Sequence, residues 1–326
     1  MFSASIAVIA RNEEKKIGKC IESLLRQTLP CEIIVVDGNS TDGTRDVVRQ
    51  FPVKLVQAPL RDSYGISRNL GVKNAGGEVI LFQDADDVVE SSWSEKLVGH
   101  FDSKVGIVIA RRTSDPSASW YHQLQSAFYS APLSARKAVE ASWTDVTTKG
   151  SAFSKKAILE SGGFDDEMFF GTEDKELAYR ILERGYRIIY DPSVVVKCTP
   201  TSSVKEYMSD NFYREGMGHG YVSRKHGVYR PSYSGIGSLV LILLSVLLVT
   251  VNTQASFFTF LLSTAIQYKL IVKSVLACKA QNKPHLILPF FLLKWLERLL
   301  QFVGFSLGYF IPVKTLRVLR DRFKDG

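Results

Sequence analysis

The chain is poor in the residues from which metal centres and redox sites are commonly built. Its five histidines include no His-x-x-x-His pair, and its four cysteines (Cys20, Cys31, Cys198 and Cys278) have neither metal-ligand nor redox spacing. Zinc coordination and thiol chemistry are therefore not expected, and the thiols read as packed and reduced. A glycine-rich phosphate loop is also missing: the first strand runs into Arg11-Asn12-Glu13-Glu14. That speaks against a nucleotidyltransferase, which shares a layered sheet and metal carboxylates but would place glycines and a basic residue there. The N-terminal apolar run, Ala4 to Ala10, is too short and wrongly flanked for a signal peptide, so this part of the chain is expected to stay in the cytoplasm. The formal charge of +8 calls for an anionic partner. No basic stripe interleaved with aromatics accompanies it, so no nucleic acid is expected, and anionic membrane lipid is the expected partner.

What is present centres on Gly77-Glu78-Val79-Ile80-Leu81-Phe82-Gln83-Asp84-Ala85-Asp86-Asp87. Val79 to Phe82 read as a buried parallel strand that ends abruptly in three carboxylates. Ligands of open α/β sheets bind beyond the carboxyl ends of the strands. Carboxylates gathered there repel one another unless a cation holds them, and hard oxygen donors suit Mg²⁺ or Mn²⁺. The stretch thus reads as a site for a divalent cation and a diphosphate.

Around it, strands and helices alternate, which implies a mostly parallel layered sheet. A first strand ends at Ala10, a helix runs from about Glu14 to Gln27, and a second strand, Cys31 to Val36, closes on Asp37. A third strand (Val53 to Gln57) and a helix (Tyr64 to Asn74) precede the central stretch. Val105 to Ala110 and Gly150 to Ser154 read as strands, and Trp120 to Ala141 as helix. Gly171-Thr172-Glu173-Asp174 opens a helix whose buried stripe is Leu177, Ala178, Ile181 and Leu182, with Thr172 as its cap. Arg187 to Tyr190 and Val194 to Lys197 read as two strands about a turn at Asp191-Pro192. Tyr207 to His226 reads as helix or loop lying between the site and a membrane.

The tail is far more apolar. Residues 235–251 contain no charge and 255–272 only Lys269; with a tight Asn252-Thr253-Gln254 connection they predict a spanning helical hairpin over 235–272. Leu286 to Ile311 carries Lys294, Glu297, Arg298 and Gln301 on one helical face and reads as an interfacial or re-entrant amphipathic helix over 286–312. Gly304 and Gly308 form a GxxxG that hints at close helix packing. The basic residues after the hairpin and at the C-terminus place both on the cytoplasmic side. The expected organisation is a catalytic domain over 1–205, an amphipathic linker over 206–234, and a membrane region over 235–326 in an integral protein of the cytoplasmic membrane.

Taken together, Ala10-Arg11-Asn12-Glu13, Val36-Asp37-Gly38-Asn39-Ser40-Thr41-Asp42-Gly43-Thr44, Arg68-Asn69 with Gly71, Asp84-Ala85-Asp86, and Glu173-Asp174 with Leu177 and Arg180 resemble, in order, the family 2 glycosyltransferases. The resemblance covers roughly residues 5–200. It implies a GT-A nucleotide-sugar-binding fold, an α/β class with a mostly parallel sheet between helices, here followed by C-terminal membrane helices. It further implies an inverting transferase with a nucleotide-sugar donor, UDP- or GDP-linked, and a Mg²⁺ or Mn²⁺ cofactor. By that resemblance Ala10, Asn12, Glu13, Asp37, Asp42, Arg68, Asp84 and Arg214 contact the donor, with Asp37 reading the base edge. Asp86 binds the metal with Asp84, Asp174 is the general base, and Glu173 is a lesser catalytic residue. The Gln-x-x-Arg-Trp signature of the processive synthases is absent, with Tyr213-Arg214-Glu215-Gly216 in the nearest position, which favours transfer of a single sugar. The membrane helices look like those of relatives that glycosylate lipid-linked acceptors. Two other readings remain open at this stage: a polyprenyl-phosphate glycosyltransferase, whose lipid phosphate attacks directly, and a non-catalytic membrane scaffold.

Overall fold

The computed structural model describes residues 2–60, 63–114, 119–120, 123–124, 137–169, 171–198, 203–228, 234–249 and 251–316. They form two compact units, one made of Met1–Asp115 with Ser134–Pro200, the other of Pro116–Leu133 with Thr201–Gly326. Most of the helix expected over Trp120 to Ala141 lies outside the described residues, and Val139–Glu140 at its end is strand.

In the first unit the order is β1 (Ala4–Ala10), α1 (Ile17–Leu25), β2 (Glu32–Asp37), α2 (Thr44–Val48), β3 (Lys54–Gln57), α3 (Tyr64–Asn74), β4 (Val79–Asp84), β5 (Val88–Val89) and α4 (Trp93–Val98). There follow β6 (Val105–Ser114), β7 (Val139–Glu140), β8 (Ser151–Ser154), α5 (Lys155–Glu160), α6 (Glu173–Glu183) and β9 (Arg187–Cys198). The strands join one sheet in the order β3-β2-β1-β4-β8-β6-β9-β5, with β7 also on β9. The half built from β1 to β4 is parallel, as the alternation predicts. The sheet as a whole is mixed, because β8 runs antiparallel between β4 and β6. The two expected strands at 187–197 are a single strand. Pro192 sits where the β6–β9 register shifts, and a bulge tolerates its missing N–H.

Period-two alternation sorts the strand side chains onto two buried faces. Ile6, Val8, Val35 and Leu81 meet Ile17, Cys20, Ile21, Leu24, Trp93 and Leu97. Ala7, Ile34, Val36, Ile80 and Phe82 meet Val72, Ala157, Ile158, Leu177 and Ile181 on the other. Helices on both faces leave the carboxyl ends of β1, β2 and β4 as the open edge where a ligand can sit. The register brings Ala10 beside Asp37 and Ile9 beside Asp84.

The second unit is helical. It contains α7 (Val204–Asp210), a π-helical turn (Asn211–Gly218), α8 (His219–His226), α9 (Ser234–Leu248), α10 (Thr253–Ala280) and α11 (Ile287–Phe310). Over the expected hairpin, α9 and α10 pack together; the side chain of Asn252, just before α10, accepts from Ala255 N–H and caps that helix, which runs on to Ala280. The inner seam of the pair is polar. Ser245 and Ser256 each donate a hydroxyl hydrogen bond to the other's carbonyl at 2.9 and 2.8 Å, and Ser263 donates to Ser238 O at 3.1 Å. Gln267 and Trp295 both donate to the Ser238 hydroxyl.

The polar face of α11 does not point outward as its amphipathic pattern implies. Lys294 and Glu297 are buried, paired at 2.6 Å, and Tyr207 donates to Glu297. Gln301 donates to Asn211 Oδ1 at 2.9 Å. The GxxxG explains the approach: a Cβ on Gly304 would stand 2.3 Å from Phe212 O, and one on Gly308 would stand 2.1 Å from Met217 O. Periodicity identifies a polar stripe but not its partners, and here the partners are α7 and the π-helical turn.

Candidate active site

The loops after β1 and β2 are folded into each other. Asn12 takes a left-handed backbone (φ +57°), which turns the chain so that its N–H donates to Ser40 Oγ and its Oδ1 accepts from Thr41 N–H at 2.8 Å. Glu13 N–H donates to Thr44 Oγ1 at 2.8 Å, and Glu14 N–H donates to Asp42. Asp42 is thereby a loop-forming residue, and the hydrogen bonds from Thr44 hold its carboxyl below the usual range. Asp37 is fully buried at the end of β2, accepting from Ser40 N–H with Arg45 Nε 3.8 Å away.

At the end of β4 the three carboxylates converge on one ammonium. Lys149 Nζ lies 3.3 Å from Asp84 Oδ2, 3.5 Å from Asp86 Oδ1 and 3.2 Å from Asp87 Oδ2. Burial alone would push this ammonium's pKa down, but the Asp84, Asp87 and Asp86 charges outweigh it and hold it well above the ordinary lysine value. Lys16 reaches the same group, 3.8 Å from Asp86 and 3.7 Å from Glu13. Burial pushes the Glu13 carboxyl above its usual range, against the pull of Lys16 and helped by Asp86.

The backbone behind Lys149 is pinned on both sides. Thr148 N–H donates to Asp174 Oδ2 at 3.2 Å. Gly150 N–H donates to Phe82 O at 3.1 Å, and Gly150 O accepts from the Trp93 indole. Gly150 has φ +71°, and a Cβ there would meet Val196 at 2.4 Å, so only glycine fits. Sequence reading overlooks Lys149. Its only local mark is a position just before the Gly150 strand, and the antiparallel pairing of β8 with β4 that brings it to the carboxylates is long-range.

Asp174 opens α6 as expected, half-buried, with Oδ1 accepting from Lys175 N–H at 2.8 Å. Thr172 occupies the cap position, as expected, but in the left-handed region (φ +75°) and without a side-chain capping bond. Arg68, expected at the donor, and Glu173, expected as a lesser catalytic residue, are buried together as an ion pair that ties α3 to α6. Arg214 belongs to the second unit, where it pairs with Asp210 at 3.5 Å. A hollow of about 170 Å³ is lined by Ile66, Asn69, Leu70, Lys73 and Asp166 and includes none of the expected site residues.

The donor set can be tested against a divalent cation. Among the described residues no three Asp, Glu, His or Cys side chains alone form a metal cluster. Mg²⁺ and Mn²⁺ sites need fewer, because one or two carboxylates suffice when waters and substrate phosphates complete the shell. Asp84 and Asp86, converging on one cation and partly exposed, fit that requirement.

A mixed sheet between helices, with acidic residues at the carboxyl ends of β2 and β4, defines the GT-A architecture. The mannosyltransferase PcManGT from Pyrobaculum calidifontis, solved in complex with GDP-Man and Mn²⁺, has the same fold. It superposes with a TM-score of 0.59 at 19% identity, over 95% of this chain and 87% of that one. Residues 5–162 match the model of glycosyl transferase family 2, and the chain carries a glycosyltransferase domain of that family. A Methanococcus voltae relative is named dolichyl N-acetyl-alpha-D-glucosaminyl phosphate 3-beta-D-2,3-diacetamido-2,3-dideoxy-beta-D-glucuronosyltransferase. It is 26% identical over 243 residues, 68% of this chain and 74% of that protein. The pre-mycofactocin glycosyltransferase of Mycobacterium tuberculosis is 24% identical over 65% of this chain, which spans only 46% of that relative's length.

Proposed function

We propose that this chain is an inverting glycosyltransferase that moves one sugar from a nucleotide-sugar, UDP- or GDP-linked, to a lipid-linked acceptor at the cytoplasmic face of the membrane. The observation that carries this reading is the bridge Asp174–Thr148–Lys149–Asp84/Asp86. It joins the expected base to the expected diphosphate carboxylates within one short segment.

Asp37, which ends β2, and Glu13, in the loop after β1, would meet the nucleoside. Asp84 and Asp86 would hold Mg²⁺ or Mn²⁺, which when bound neutralises the diphosphate and stabilises it as a leaving group. Asp174 takes the acceptor hydroxyl's proton as the anomeric carbon is attacked from the face opposite the diphosphate. Each Asp174 oxygen accepts one backbone N–H, and each keeps a further lone pair for this purpose.

The lipid-linked acceptor is supported by the dolichyl phosphate in the name of the Methanococcus voltae relative. Membrane residence is supported by the polar inner seam of the hairpin and its apolar exterior, including Leu243, Leu247, Phe257, Phe258 and Phe260. Of the helices, Thr253–Lys279 is long and apolar enough to cross a bilayer, whereas Ile236–Leu248 is shorter. A phosphate acceptor is the second reading, favoured by the engagement of both Asp174 oxygens with backbone N–H groups, since a phosphate needs no base.

The test pairs two variants in single-turnover assays with donor titration. Asp86→Ala should abolish Mn²⁺-dependent nucleoside diphosphate binding. Asp174→Asn should keep donor affinity and lower turnover by ~10²–10⁴, the range of positioned general bases. Near-normal turnover in Asp174→Asn would refute the base and select the phosphate acceptor.

A further inference from the structure

We propose that Lys149 is the resident counter-ion of the cation site. Its ammonium holds Asp84, Asp86 and Asp87 together in the free protein and must withdraw before a divalent cation can bind. The inference rests on the proposed cation role of Asp84 and Asp86.

The geometry argues for displacement rather than coexistence. One ammonium stands 3.3 and 3.5 Å from the Asp84 and Asp86 oxygens that face it. A Mg²⁺ or Mn²⁺ ion shared by those carboxylates would lie about 2.0–2.2 Å from their oxygens. Two cations drawn to the same pair of carboxylates repel at short range. Sharing is thus disfavoured unless the ammonium retreats.

The segment is built for a side-chain retreat alone. Thr148 and Gly150 are held by Asp174, Phe82 O and the Trp93 indole, so the backbone between them cannot follow. The four-carbon lysine stem can swing, and its side chain is 21% exposed. Asp87, fully buried and 3.2 Å from Nζ, offers the ammonium a partner it can keep while releasing Asp84 and Asp86. Lys149 therefore lowers the affinity for metal alone. It also offsets the mutual repulsion of the three clustered carboxylates.

The experiment titrates Mn²⁺ alone into the detergent-solubilised full chain, by calorimetry and by the loss of the free Mn²⁺ resonance signal. Lys149→Met should bind Mn²⁺ at least about tenfold more tightly than the unsubstituted protein, and Lys149→Arg, which keeps the charge, should stay close to it. A second readout needs no variant: Mn²⁺ should raise the rate at which an amine-acylating reagent modifies Lys149, followed by mass spectrometry. Equal or weaker Mn²⁺ binding by Lys149→Met, or acylation that Mn²⁺ slows or leaves unchanged, overturns the proposal. Asp86→Asn separates the two readings. Binding that Asp86→Asn abolishes and Lys149→Met leaves unchanged refutes the counter-ion alone. Absence of Mn²⁺ binding in every form refutes the cation site and the counter-ion with it.

Discussion

Replacing Arg68 by methionine should destabilise the first unit more than any surface change, and the structure says why. Arg68 is 7% and Glu173 2% exposed, and the two are paired across 105 residues of sequence. The guanidinium also lies 5.5 Å from the Tyr64 ring centroid and 5.9 Å from that of Phe164. Glu173 Oε2 is buried without a hydrogen-bond partner among the described residues, so the carboxylate depends heavily on Arg68. Arg68→Met strands that carboxylate in the interior, and breaking a buried pair from one side costs about 3–5 kcal/mol. For a domain of 150–250 residues each kcal/mol shifts Tm by roughly 2–4 °C, so a fall of about 6–20 °C is expected. Glu173→Gln should cost less, because the amide oxygen still accepts from the guanidinium.

The informative variant is the double one. Arg68→Met with Glu173→Leu removes both charges, and apolar replacement of a whole buried pair is often neutral or stabilising. Thermal unfolding of the four proteins closes a double-mutant cycle, in which the double variant should regain most of the Tm lost in Arg68→Met. Donor affinity is then measured on the same proteins. If Arg68 acts only by fixing α3 to the start of α6, the double variant regains donor affinity with stability. Stability regained without donor affinity would mean that the guanidinium touches the donor itself. A single-variant loss below about 3 °C, or strict additivity, would refute the buried-pair reasoning.

Two further outcomes follow from other parts of the chain. Gly304→Val should sharply reduce the folded fraction in detergent, followed by fluorescence-detected size exclusion, because its Cβ meets backbone at 2.3 Å; Gly237→Ala, with nothing within 4 Å, is the harmless control. Asp191 is pushed up by burial, but hydrogen bonds from Ser193 and His100 outweigh this and hold its carboxyl below the usual range. Its folded pKa is thus below the unfolded value of about 3.9, so its stabilisation is complete above that value and lost as pH falls through the lower one. The Tm gap between the unsubstituted protein and Asp191→Asn should be full at pH 7 and shrink below about pH 4, and a gap that widens on acidification would contradict this.

What could be read from the sequence, and what could not, divides along the range of the interactions. Asp37, Asp84 and Asp86 are legible because a buried strand that stops at a carboxylate is a local pattern, and the parallel register then aligns the strand ends. The α9–α10 pair is legible for the same reason, as two apolar runs around a polar turn, the second carrying Lys269. Lys149 and the Arg68–Glu173 pair are not, since each depends on strand or helix partners 60 to 110 residues away. An arginine beside a binding loop and one that neutralises a buried glutamate look alike in one dimension.

The α11 polar stripe shows the complementary hazard. Lys294, Glu297 and Gln301 at helical spacing announce a polar face, and an interfacial helix is the usual owner of one. Yet the glycines at 304 and 308 share that face, and glycine contributes nothing to a headgroup contact while allowing two backbones to meet. The same four-residue spacing recurs at Gly216 and Gly220, where a Cβ would collide with Gly304 Cα at 2.9 Å and Phe305 O at 2.2 Å. Two glycine pairs of equal spacing, one on α11 and one running from the π-helical turn into α8, are a reciprocal packing signal. A polar stripe that runs into such a pair belongs to a buried seam, and it then needs polar partners such as Tyr207 and Asn211 on the opposite helix.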